Sequence, residues 1–446
     1  MKTVTVLGAG RSSASLITYL LEHAVENDWM VQVVDANLEH AEEKVQGNSR
    51  GRAMAFDVNN IAQTEVLVVT SDVIVSLLPA HLHSMVASKC VQFGKHMITA
   101  SYVSEDMKEL STQAMEKGIL LLNEMGLDPG IDHMSAMHII DRTKAAGGKI
   151  TSFKSWCGGL IAPESNDNPW NYKFTWNPRN VVLAGQGTAK FIENGSYRYL
   201  PYSRIFKELE QIDIEGVGNL TGYANRDSLS YRDVYGLSTI PTMIRGTLRG
   251  SGYCEAWDIL VQLGITDDTY VLENAAELSY SQWIKAYLPS HLQKFKTDEG
   301  LAQFYGIPLK DERIEKLRWL GLFKETKIAD QQATPAQILQ SLLESKWKLK
   351  KGDKDMIVML HQFEIEQEGK VENIVSSLTV KGDDEHYTAM AKTVGLPMAI
   401  AAKLLLTDQL KGAGVHIPVS KAIYEPVLAE LANHGIEFKE SKISRS

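Results

Sequence analysis

Gly8-Ala9-Gly10-Arg11-Ser12-Ser13 follows a short apolar run, Val4–Leu7, and opens a helical pattern with Leu16, Ile17, Leu20 and Leu21 on one face. A glycine-spaced turn in that context suits one chemistry. Gly8 permits the tight turn, and Gly10 lets backbone amides approach a pyrophosphate at the helix N-terminus. Ser13 stands where Gly or Ala is usual, so the helix–strand packing is expected to be slightly looser there. Asp35 lies 22 residues after Ser13 and closes the next strand. That is near the spacing at which a carboxylate accepts hydrogen bonds from the adenosine ribose, and a carboxylate there repels a 2′-phosphate. Ala36 and Asn37 follow it, and the next cation is Lys44, so the pattern predicts NAD over NADP. Arg11 reads either as a neighbour of the pyrophosphate or as a solvated charge.

In an open α/β sheet, ligands bind beyond the carboxyl ends of the strands. Three strand ends carry polar or conformationally special residues: Leu78-Pro79, Ala100-Ser101-Tyr102 and Leu127-Asp128-Pro129-Gly130. Asp128 precedes a proline, which biases it to an extended backbone and so helps fix where its side chain points. The competing reading of Asp128 is a helix-initiating turn, a role Asp132 can fill. Cys157 ends a strand, where a lone cysteine is more often a small core residue than a reactive one. His81, His83, His133 and His138 form no metal-site pattern, so no metal is expected.

The elements that position these residues alternate. Strand patterns at Val4–Leu7, Val31–Val34, Ala53–Phe56, Val73–Leu78, His96–Thr99 and Ile119–Leu122 are separated by helical stretches such as Leu38–Val45. Apolar runs of four to six residues with helical crossovers predict a parallel sheet. The fold class is therefore α/β: a Rossmann-type, doubly wound sheet over residues 1–127. A helix after Asp132 ends at Gly147-Gly148. Residues 128–254 and 351–385 read as an α+β substrate domain, with a hairpin Met356–Ile365 and Val371–Val380 turning at Glu368-Gly369. Residues 255–350 read as a small all-helical insertion, and 386–446 as a C-terminal segment, its helix Tyr387–Leu406 returning to the first domain.

The strings NEMGLDPGIDHM and SWCGGLIAPESNDNPWNYKFTWNPR, with TASYVSEDMKEL before them and ANRDS and RGTLR after, resemble the glutamate-forming saccharopine dehydrogenases. The resemblance runs from the N-terminus to at least Gly264 and more loosely beyond. It implies oxidation of L-saccharopine with NAD(P) and water to L-glutamate and 2-aminoadipate 6-semialdehyde. It also implies a homodimer. By resemblance, Ser101 and Tyr102 contact saccharopine, Asp128 lies between cofactor and substrate, and Asp57 contacts adenine, although a plain turn aspartate fits Asp57 equally. Arg226 and Arg249, with Thr247 and Leu248, take the positions that hold substrate carboxylates; bidentate guanidinium suits a tricarboxylate better than lysine does. Asp227 is the structural alternative as partner for Arg226. Lys173 and Asn177 are expected to complete the lining. Proton handling falls to Asp128 and Tyr102, with Cys157 third. The cofactor set is Gly8 to Ser13, Asp35, Ala36, Asp57, Leu78, Pro79, Ala100, Leu127, Asp128 and Pro129. Three positions depart from the family: Trp156 for Tyr, Ile161 for Pro, and Gly250 for an aromatic.

The bulk properties exclude other classes. A chain of 446 residues is too long for one core, and a net charge of −9 with interspersed signs argues against nucleic acid or an anionic membrane as partner. Three scattered cysteines make no disulfide framework, which points to a reducing cytoplasm. The first strand begins within three residues, so no signal peptide is expected, and no apolar run reaches the ~20 residues of a membrane helix. Two other functions fit such a fold. A carboxynorspermidine synthase-like imine reductase would need an acidic pocket, against Arg226 and Arg249; a non-catalytic dinucleotide sensor would leave Tyr102 and Asp128 unexplained.

Overall fold

The computed structural model describes residues 1–444 and divides into two compact units. The first contains Met1–Thr151, Val234–Leu237 and Lys354–Ser446; the second contains Ser152–Asp233 and Ser238–Asp353.

The first unit begins with β1 (Lys2–Leu7), α1 (Ala14–Glu22), β2 (Trp29–Asp35), α2 (Leu38–Val45), β3 (Gly51–Ala55), α3 (Ile61–Val69), β4 (Val73–Ser76), α4 (His83–Phe93) and β5 (His96–Thr99). After two short helices come β6 (Leu120–Leu122) and α5 (Ile131–Ala145). The sheet order is Gly414–His416, β6, β5, β4, β1, β2, β3, all parallel. Val4, Val6, Val31 and Val33 are fully buried, as strands covered on both faces require. The strand order reverses between β1 and β4, so the glycine turn after β1 and Leu77–Pro79 after β4 flank the switch point where such sheets bind ligands.

Residues 128–151 and the hairpin Asp355–Gln367 with Lys370–Lys381 fall in the first compact unit. Long-range contacts hold them there: Ser135 Oγ lies 2.8 Å from His361 Nε2, and Tyr424 Oη donates to Asp141 at 2.8 Å. The helix Ala389–Leu406 packs on α1. Gly395 makes that approach possible, since a Cβ there would sit 3.0 Å from both Leu16 N and Leu16 Cβ. By length and composition this helix could cross a membrane, but Lys392 and Lys403 interrupt its apolar run and 83% of it is buried.

In the second unit the strands Leu209–Ile214, Gly218–Ala224 and Thr242–Arg249 pair antiparallel in sequence. Thr242–Arg249 also pairs in parallel with β7 (Lys149–Ile161) from Ser152 onward. The helices of residues 253–347 pack within this unit around Trp170, Trp257, Trp283 and Trp347, each at most 1% exposed.

Candidate active site

The glycine turn is tight on its inner side and open on its outer side. Gly8 has φ +100°, and a Cβ there would press on the Leu77 carbonyl at 3.3 Å. Around Gly10 a Cβ would meet nothing within 4 Å, so the turn's outer side is open. Ser13, the residue before α1, is fully buried, and its hydroxyl donates back to Gly10 O at 2.8 Å. No side chain caps α1, which leaves its first amides for an anion. Asp35 Oδ2 accepts the Ala9 amide at 2.7 Å and Oδ1 the Asn37 amide at 3.0 Å, so the carboxylate is fixed beside the turn and Ala36 follows it. His40 Nδ1 lies 3.5 Å from Oδ1, a neighbour the sequence reading missed. These residues fit a dinucleotide: the turn and helix end would hold its pyrophosphate and Asp35 its ribose. Arg11 is exposed. Asp57 turns back on its own loop and accepts the Asn59 amide at 2.9 Å, the plain-turn alternative.

At the ends of β4, β5 and β6 a polar cluster forms. His83 is 4% exposed; its Nδ1 meets Ser76 Oγ at 2.9 Å, and its Nε2 meets Ser101 Oγ at 2.9 Å and Thr99 Oγ1 at 3.2 Å. Burial pushes the imidazole pKa down to about 4, so the ring is neutral near pH 7 and orients the Ser101 hydroxyl. Nothing in the sequence distinguished His83 from its neighbour His81. Tyr102 Oη donates to Asp128 Oδ1 at 3.4 Å. Pro79 starts the short turn Ala80–Leu82, and Ala100 lies against Gly126. The turn Leu127-Asp128-Pro129-Gly130 is strict at Gly130, where φ is +145° and a Cβ would overlap Gly126 O at 2.0 Å. Asp132 does not cap α5 as expected; Gly130 takes that place, and Asp132 Oδ1 accepts the Gly130 amide at 2.6 Å.

Cys157, Arg226, Thr247, Leu248 and Arg249 all lie in the second unit. Cys157 pairs in register with Thr247 and is buried, as is Leu248. Arg249 is 4% exposed, lies 5.3 Å from the ring centres of both Tyr172 and Tyr253, and donates to the Leu248 carbonyl. Its Nε has no hydrogen-bond partner, and among the described residues no carboxylate pairs with it. Tyr223 pairs with Thr247 in register; burial pushes its hydroxyl pKa up, while the Arg249 and Arg226 charges pull the other way. Arg226 turns the chain at φ +48°. Asp227 caps its own turn through the Leu229 and Ser230 amides and pairs with Lys190 at 3.5 Å.

Two expected lining residues have other work. Lys173, 1% exposed, is held by Asp353 at 2.7 Å and Asp167 at 2.9 Å, because a buried ammonium needs counter-charges. Asn177 caps a short helix by accepting the Arg179 amide at 2.9 Å. The departures from the family pattern are accommodated locally. Gly246 and Gly222 make room for Trp156, whose ring would lie 2.2 and 2.9 Å from a Cβ at these positions, and Asn171 packs against Gly250.

Two family models match the chain: the saccharopine dehydrogenase NADP binding domain over residues 4–122 and the saccharopine dehydrogenase C-terminal domain over residues 126–436. The Schizosaccharomyces pombe saccharopine dehydrogenase [NADP(+), L-glutamate-forming] is 34% identical over 99% of both chains. The mitochondrial alpha-aminoadipic semialdehyde synthase of Bos taurus is 36% identical over 98% of this chain and 47% of its own length. Among solved structures, the apo L-Glu-forming saccharopine dehydrogenase of Saccharomyces cerevisiae covers 100% of both chains with a TM-score of 0.89 at 32% identity. The homospermidine synthase of Legionella pneumophila, with a TM-score of 0.58 at 11% identity, shares the fold alone.

Proposed function

Because the chain belongs to the saccharopine dehydrogenase family, we propose that it oxidises L-saccharopine with a nicotinamide dinucleotide and water to L-glutamate and 2-aminoadipate 6-semialdehyde, reversibly. The observation that carries this reading is Arg249: a buried guanidinium without a carboxylate of its own suits a substrate that brings three. The nicotinamide, when bound, supplies the hydride acceptor. Loss of hydride from a carbon bonded to the secondary amine gives an imine; water adds to that carbon, and the carbinolamine collapses to amine and aldehyde. Water must lose a proton as it adds, and the departing nitrogen must gain one. Asp128 and Tyr102, in contact with each other, are the groups for these transfers, help worth roughly 10²–10⁴ in rate. Ser101, held by neutral His83, is set to orient the substrate, and Arg249 and Arg226 to hold its carboxylates. Cys157, buried in register with Thr247, is the weakest proton carrier of the three. The test is direct: purified protein with saccharopine and either dinucleotide should generate reduced nicotinamide absorbance together with glutamate. No saccharopine-dependent signal with either would overturn the reading.

Within this reaction we propose NAD as the cofactor. The family descriptions and named relatives favour NADP, whereas Asp35, a carboxylate closing the second strand and held by the Ala9 amide, is of the type that accepts the ribose hydroxyls and repels a 2′-phosphate. Two like charges about 4 Å apart are penalised by several kcal/mol at an effective dielectric near 20. Protonated His40 would offset part of this. The wild type should prefer NAD by about 10²-fold in kcat/KM, since each ~1.4 kcal/mol is tenfold. Asp35→Ser should remove most of that preference. Equal use of both dinucleotides by wild type and variant would sink it.

A further inference from the structure

Glu124 and His133 belong to the string NEMGLDPGIDH but have no part in the chemistry above. Both are buried, Glu124 at 3% exposure and His133 fully. Glu124 brackets Tyr102 on both sides. Its backbone N–H donates to Ser101 O at 3.1 Å, and its Oε1 accepts the Val103 N–H at 3.1 Å. Its other oxygen, Oε2, lies 2.8 Å from His133 Nε2. The far ring nitrogen of His133 bonds the Tyr235 hydroxyl and lies 3.6 Å from Asp132 Oδ2. Asp132 in turn holds the Gly130 amide at the end of the Asp128 turn. Tyr235 is itself tied down, because Lys144 donates to the carbonyls of Tyr235 and Gly236 at 3.0 and 2.9 Å.

Burying an acid–imidazole pair costs more than an apolar pair of the same volume, so stability alone is a poor reason to keep one. What such a network provides is fixed geometry. One side of it grips the backbone on either side of Tyr102, and the other grips the turn that carries Asp128. The contact to be maintained, Tyr102 Oη to Asp128 Oδ1, is long at 3.4 Å and belongs to two separate loops. We propose that Glu124, His133 and Tyr235 are positioning residues that hold Tyr102 and Asp128 in register for proton transfer. This rests on the roles given above to Tyr102 and Asp128.

A misplacement of catalytic groups by about 1 Å costs on the order of 10²-fold in rate. Glu124→Ala should therefore lower kcat by about 10²-fold, with KM for saccharopine and dinucleotide affinity within about threefold of wild type. Glu124→Gln keeps an oxygen for the Val103 amide and should recover all but about fivefold. The decisive measurement is Glu124→Ala made in a Tyr102→Phe background. Residues acting as a unit are non-additive, so with the hydroxyl already gone the second change should cost less than about threefold in kcat. If Glu124→Ala does not fold, Tyr235→Phe carries the same test at about fivefold, again vanishing when Tyr102 is Phe. Wild-type kcat in the Glu124 variants, or losses that multiply fully with Tyr102→Phe, would reduce the network to core packing. Wild-type kcat in Tyr102→Phe would remove the underlying role of Tyr102, and the inference with it.

Discussion

A guanidinium that is 4% exposed and lacks an acidic partner is costly for a fold to keep, because arginine cannot shed its proton. The faces of Tyr172 and Tyr253 offset part of that cost, and the Leu248 carbonyl takes one N–H, but Nε remains unmatched. A carboxylate arriving with substrate would complete the set in a fork geometry that an ammonium cannot reproduce. Arg249→Lys should therefore raise KM for saccharopine by 1–3 kcal/mol, about 5- to 150-fold, and change kcat less. Stability should fall little, because the lost ring contacts are offset in part by the ability of a buried, unpaired lysine, unlike arginine, to shed its proton. Steady-state kinetics with urea unfolding of the same protein checks both halves; unchanged KM would show that this guanidinium serves the fold alone. Lys173 makes the contrast. In the sequence it looked like a third pocket cation beside Arg226 and Arg249, yet its two acids lie 6 residues before it and 180 after it, the second a separation no local pattern reveals.

The helix Ala389–Leu406 shows how an element holds charge in a core. Its Thr388 cap accepts the Ala391 amide at 2.9 Å, and fully buried Asp355 accepts the amides of Ala389 and Met390. Burial nevertheless pushes the Asp355 carboxyl up to about 6, against the pull of those amides. Between pH 4 and 6 the folded state thus keeps a proton that the unfolded chain releases, so this group's contribution is greatest below about pH 4 and lost as pH rises to 6. Two pKa units correspond to roughly 3 kcal/mol. His83 runs the other way: held near 4 when folded and near 6.5 when unfolded, it favours the fold above pH 6.5 and ceases to do so as pH falls to 4. The two oppose each other over the same window. Asp355→Asn should uncover the histidine, so that wild type gains on the variant by roughly 3 kcal/mol between pH 6 and pH 4. Urea midpoints at pH 4.5, 5.5 and 6.5 measure that difference; a constant gap would mean Asp355 is already ionised throughout.

At the scale of the whole chain, the first unit is assembled from three separate segments: the chain leaves it at residue 152 and returns at 354, and Val234–Leu237 belongs to it midway. The sequence exposed whatever rests on local pattern. Strands β1, β2 and β5 were readable as apolar runs, the glycine turn by its context, and the hairpin turn by Glu368-Gly369, both at positive φ. It hid whatever rests on distance. The attachment of α5 and the long hairpin to the first unit depends on partners more than two hundred residues apart, such as Ser135 with His361. The Glu124–His133 pair is only nine residues apart, but its meaning comes from Tyr235, 102 residues beyond His133. That segmentation makes a prediction about autonomy. Residues 1–151 alone carry the dinucleotide turn, but they lack Gly414–His416, which pairs with β6, and the helix Ala389–Leu406, which covers α1. Without them an apolar helix face and a sheet edge stay open, and burial at ~25 cal/mol per Å² is lost over both. A fragment of residues 1–151 should unfold without a cooperative urea transition and bind dinucleotide weakly. Joining 1–151 to 354–446 through a flexible linker of about twenty Gly and Ser residues should restore a cooperative transition and most of the affinity. Circular dichroism with dinucleotide titration of the two proteins decides it. Cooperative unfolding and full affinity in the 151-residue piece would show that the C-terminal segment is an attachment to this unit, not part of its core.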